Sequence, residues 1–197
     1  MSLLDSESES ESNVKTIVFT EIKGNKKESV INNALMYVKR EKKERIEVET
    51  WGLTETDLSF EKQLELLKAI SLLKGTKDKY SQLLINHIKT KIHGYKHQDV
   101  LKKKYNETEF INLSYVIELL IESGLKCHYC ACESYLLYEI VRETKQWSLD
   151  RINNDLGHNK GNLVMACLEC NLKRRRINKD AFFMTRNLKI FREGIDI

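Results

Sequence analysis

Four of the five cysteines fall into two Cys-x-x-Cys pairs, Cys127 with Cys130 and Cys167 with Cys170. A tight turn under each pair aims both sulfurs the same way, so two pairs can close a tetrahedron of thiolates around one zinc ion. An ion held by four sulfurs has no open position for water. Such a zinc is structural, and any reaction belongs to residues beside it. Disulfides are the alternative, but no secretory signal is visible, and we expect an intracellular protein whose paired cysteines hold metal. Cys132 and His128 lack paired spacing and are expected not to be ligands. A two-Cys, two-His finger is excluded because no histidine follows Cys170. A nucleobase deaminase needs His-x-Glu ahead of Pro-Cys-x-x-Cys, and the chain has no proline.

The segment between the pairs must position that other chemistry. Trp147 through Ile152 reads as a short strand, Asn153 through Lys160 as a polar loop containing Gly157, and Leu163-Val-Met-Ala as a second, buried strand. A helix then opens at Cys170 and carries Asn171 in its first turn. Strand, loop, strand, Cys-x-x-Cys and Asn, in this order, resemble the HNH, or ββα-metal, endonuclease family in its zinc-bearing form, over about a quarter of the chain.

The resemblance implies a divalent-metal-dependent endonuclease that hydrolyses phosphodiester bonds. Asp150 matches the metal-binding carboxylate, Asn171 the helical metal ligand, Asn162 the Asn that pins the loop and Lys173 the basic helical position. The ion these residues imply is Mg2+ or Mn2+, beside the structural Zn2+. One position departs from the family. Where its general-base histidine stands, this chain has Arg151, which is always protonated and cannot take a proton from water. His158, after the loop glycine, is the best replacement base; His128, Asp155 or a metal-bound hydroxide are the others. Arg151 is expected to contact a phosphate oxygen, or, by strand alternation, to point away from the ion. The Asp-Arg-Ile form of the first strand looks like a branch with a phage and large-virus flavour.

The run Lys173-Arg-Arg-Arg, followed by Lys179, Arg186, Lys189 and Arg192, is expected to lie along a nucleic-acid backbone, DNA before RNA. A rival expectation is a zinc module that lost its base and binds nucleic acid without cutting, and a third is a structural zinc domain for protein contacts. The net charge of +4 includes an acidic Ser/Glu tail through Glu11, read as disordered. No apolar run is long enough to span a bilayer.

Upstream, Ile17–Ile22 and Ile46–Glu49 read as strands. Ser29–Arg45, Phe60–Lys74, Tyr80–Ile92 (stopped near Gly94) and Asn112–Ser123 read as helices. Asn86 to Gln98, with Lys102-Lys-Lys104, reads as a cationic stretch whose Tyr95 either stacks on bases or belongs to a solvated helix end and linker. His87, His93 and His97 are assigned no metal. Tyr135–Val141 has strand composition, and Trp147 reads as a core anchor. The fold class is therefore α+β. Residues 1–13 form the tail, 14–124 a mainly helical region that is a candidate nucleic-acid-binding or specificity part, and 125–197 the HNH-like zinc module.

Overall fold

In the computed structural model, residues 42–72 and 78–188 are described. The acidic tail, the strand expected at Ile17–Ile22, residues 29–41 of the expected Ser29–Arg45 helix, Lys189 and Arg192 lie outside these residues; residues 42–45 are not helical, and Glu44 instead makes an isolated bridge with Ile140. Among the described residues there are six helices and one two-stranded antiparallel sheet, an α+β arrangement.

The helices are α1 (Val48–Trp51), α2 (Phe60–Leu72), α3 (Lys79–Leu101) and α4 (Leu113–Glu122), then, after the strands, α5 (Leu168–Arg174) and α6 (Lys179–Asn187). Where a strand is expected at Ile46–Glu49, the chain instead makes the single turn α1, closed by Gly52 at φ 63°. Ile46 is exposed and Trp51 buried, which is not the alternation of a half-buried strand. Helix α4 matches its expectation closely, with Asn112 Oδ1 accepting from Tyr115 N as the N-cap.

Helix α3 overruns its expected stop. It passes through Gly94 for a total of 23 residues, from a start capped by Asp78. A helical glycine costs about 1 kcal/mol, and the turns beyond it bury Tyr95 and Asp99. The packing of Tyr95, its hydrogen bond to Leu149 N and the hydrogen bonds of Asp99 to His158 offset that cost, so Asn86–Gln98 is helix and not a cationic stretch of loop. Tyr95 is buried, not an exposed stacking platform.

Strands β1 (Trp147–Arg151) and β2 (Leu163–Cys167) pair with Leu149 opposite Met165 and Asp150 opposite Val164. Their alternation divides two cores. Trp147, Leu149, Leu163 and Met165 join the helical core with Leu67, Leu84, Ile88, Val116 and Leu120. On the other face, Ala166, with Val164 beside it, packs on Cys127, Tyr129, Cys170 and Phe182, and Cys167, at the turn from β2 into α5, joins the same cluster. Trp147 is fully buried, as a core anchor should be. Tyr135–Val141 forms only isolated bridges, and its Leu136 and Leu137 amides both donate to Gln63 Oε1 on α2.

Residues 42–72 and 78–187 fall within one compact unit, which spans the expected 124/125 boundary. The reason is physical. Leu125 is fully buried in the helical core, and α3 side chains bond directly to β1. None of the helices among the described residues is long and apolar enough to cross a membrane.

Candidate functional site

The four paired cysteines converge. Their sulfurs all lie within 4.8 Å of one another, and the group includes neither Cys132 nor His128. All five cysteines are free thiols, so the disulfide alternative is not realised. A zinc–sulfur bond of about 2.3 Å sets tetrahedral sulfurs about 3.8 Å apart, and Cys130 Sγ stands 3.9 Å from Cys167 Sγ. The donor set and its size fit zinc. Cys167 also caps α5, its sulfur accepting from Cys170 N. Crowding separates the thiols: the hydrogen bond from Cys167 pulls Cys127 down to about 4, while the same contact pushes Cys167 far up. A cation at the centre relieves that conflict by stabilising all four thiolates.

Asp150 lies in the seam between β1 and α5, only 4% exposed. Its Oδ2 accepts from the Tyr129 hydroxyl at 2.6 Å and its Oδ1 from Arg174 Nη1 at 2.7 Å. Burial raises its pKa, opposed by the Tyr129 hydrogen bond and the Arg174 charge. Arg174 is 1% exposed and also donates to the Arg151 and Ile152 carbonyls, closing the end of β1. It is therefore an internal counterion and not part of an outward basic run. That run is broken further at Arg175, whose φ of 53° ends α5, so Lys179 and Arg186 belong to a separate helix, α6.

Asn171, on the fourth residue of α5, faces the same seam. Its Nδ2 donates to Ser148 Oγ at 3.0 Å and to the Leu149 carbonyl at 3.3 Å. Lys173 is exposed and pairs with Glu169 at 2.5 Å. Asn162 ties the β1–β2 loop: its Oδ1 accepts from Asn153 N, and its Nδ2 donates to the Asn153 and Gly157 carbonyls.

No family model, no curated protein and no solved structure matches this chain.

His158 is 4% exposed and held by α3. Its Nδ1 lies 2.9 Å from Asp99 Oδ1, and its main-chain N–H donates to Asp99 Oδ2 at 2.6 Å. Tyr95 stacks on the ring at 4.4 Å between centroids. Burial lowers the His158 pKa, and the Asp99 charge and hydrogen bond oppose it. Arg151 leaves the Asp150 seam, as alternation requires. Its Nη1 donates to the Leu156 carbonyl at 3.2 Å and stands 3.9 Å from Asp99 Oδ1. Asp155, another candidate base, is exposed and pairs with Arg176 at 3.1 Å. His128 is exposed, its ring against Tyr129 and Phe183.

Three residues escape the sequence: Tyr129, Arg174 and Asp99. Arg174 lies three residues after Asn171, which puts both on one helix face, a signal hidden by the uniform basic run. Asp99 lies four residues after Tyr95 on a stripe that begins at Ile88, legible only if the helix continues through Gly94.

Proposed function

We propose that this protein is a divalent-metal-dependent endonuclease of the HNH type, hydrolysing phosphodiester bonds in DNA. The observation that carries the reading is the seam itself. A strand–strand–helix unit, pinned by four thiols able to hold zinc, brings Asp150 and Asn171 to one face of β1.

The oxygens present fit a hard cation. A carboxylate has about four acceptor sites, and Asp150 uses two of them on Tyr129 and Arg174. Asn171 spends its Nδ2 on β1, which leaves Oδ1 as a donor oxygen. Asp150 and Asn171 would hold Mg2+ or Mn2+, with Arg174 competing for Asp150. When bound, the ion supplies positive charge at the phosphate and at the departing oxygen. The protein residues do the rest. Asn162 fixes the loop that presents His158, and neutral His158, its pKa lowered by burial, takes a proton from the attacking water at Nε2. Exposed Lys173, Arg175 and Arg176 supply charge for the nucleic-acid backbone.

A second reading is favoured by one observation, the Asp150–Arg174 pair: a guanidinium already neutralises the carboxylate, as suits a module that binds nucleic acid without cutting. Nicking of supercoiled plasmid with Mg2+ or Mn2+ separates the two. We expect the native chain to nick, and Asp150→Asn and His158→Ala to bind DNA but not cut. Binding by the native chain with no metal-dependent nicking would establish the second reading instead.

A further inference from the structure

The carboxylate that touches His158 comes from outside the strand–strand–helix unit, 59 residues upstream on α3. Asp99 is fully buried. A desolvated carboxylate is expensive unless paired and hydrogen-bonded, and both its oxygens are spent on one loop residue, the ring and the main chain of His158. Four further features fix that residue. Tyr95 covers one ring face at an interplanar angle of 20°. Ile111 N donates to the His158 carbonyl at 3.2 Å. Arg151 stands beside Asp99. Gly157 lets the loop close, because a Cβ there would meet the Lys104 carbonyl and lie 2.8 Å from Asp99 Oδ2. Among the described residues, nothing hydrogen-bonds Nε2.

We propose that Asp99 is the positioning residue of the reaction, holding the His158 imidazole with its proton on Nδ1, so that Nε2 is free to accept the proton of the attacking water. The inference rests on the nuclease reading. A carboxylate only accepts hydrogen bonds, so the nitrogen facing it carries the hydrogen and the other keeps its lone pair. In the step so served, the water oxygen bonds to phosphorus, the phosphorus–O3′ bond breaks, the water's proton moves to Nε2, and solvent protonates the departing oxygen. The charged and titratable groups facing His158 are Asp99 and Tyr95 from α3, Lys102 just past its end and Arg151 from β1.

The test is Asp99→Asn in the full chain. An amide keeps its oxygen for the main-chain N–H and turns its NH2 toward Nδ1, which forces the proton onto Nε2 and disarms the base. Nicking should fall about 100-fold or more with DNA affinity unchanged. The acid limb of the residual pH–rate profile should move to lower pH, because the negative charge favouring imidazolium is gone. Nitrogen-15 shifts of His158 should show the Nδ1–H form in the native chain and the Nε2–H form in the variant. If folded Asp99→Asn cuts at the native rate with the native pH profile, this inference fails while the nuclease reading stands. No cutting by the native chain overturns both. If Asp99→Asn does not fold, the native chain's own tautomer decides, and an Nε2–H form refutes the inference.

Discussion

Asp150 and Arg174 form a buried pair whose members depend on each other. Replacing Arg174 by Met leaves Asp150 with only the Tyr129 hydroxyl, and breaking a buried pair from one side costs about 3–5 kcal/mol. Urea unfolding should show that loss. Added Mn2+ should restore stability to Arg174→Met far more than to the native chain, since an ion takes over the vacated charge and binding to the folded state stabilises it. A variant indifferent to Mn2+ would remove Asp150 as an ion ligand. The cysteines were legible at this scale because zinc imposes a spacing on the sequence. The arginine was not, because nothing in Lys173-Arg-Arg-Arg distinguishes the one residue that faces inward.

Among the elements, α3 does the most to place the loop of the candidate site. The Tyr95 hydroxyl accepts from Leu149 N at 3.0 Å, tying helix to strand. Tyr95→Phe should cost about 1 kcal/mol in thermal or chemical unfolding, with the His158 stack retained. Gly157→Ala should cost more, about 1–3 kcal/mol, as overpacking does, and should shift the His158 ring resonances because the loop must retreat from Asp99. An unshifted His158 would mean that the backbone, not the glycine, sets the loop. The two strands and α4 could be read from sequence because alternation, Asn112 and a terminal Gly124 agree locally. The length of α3 could not, because its burial against β1 is a tertiary gain that outvotes the local signal at Gly94.

At the scale of the whole molecule, the four-cysteine cluster and the helical core share one compact unit, so removing a metal held there should be felt throughout. We expect one zinc per chain by mass spectrometry, and a strong chelator or Cys170→Ser should broaden or abolish cooperative unfolding. Acid should also destabilise the fold. His87, edge-on to Trp51 at 5.1 Å, is pushed down to about 4 by burial and by Arg45. Between that value and about 6.5 the unfolded chain binds a proton that the folded chain refuses, so stability falls as pH drops through this window. His158 is shifted in the same direction. Urea midpoints at pH 5 and 7.5 should differ accordingly, and His87→Gln should narrow the gap. The α+β class was legible in the sequence because pattern and composition decide it. The unity of the fold was not, because contacts such as Gln63 to Leu136 and Leu137 join residues far apart in the chain.

Among the described residues the sheet has two strands, and the outer rim of β1 is closed. The Trp147 amide donates to the Tyr135 carbonyl, its own carbonyl accepts from Lys91 Nζ, and Leu149 is satisfied by Tyr95 and Asn171. A peptide or a second copy seeking to extend the sheet there would find no vacant main-chain partner at either residue. Recruitment of foreign strands, a route from an open sheet edge to aggregation, is blocked on this flank by the Tyr135 main chain and by side chains from α3 and α5.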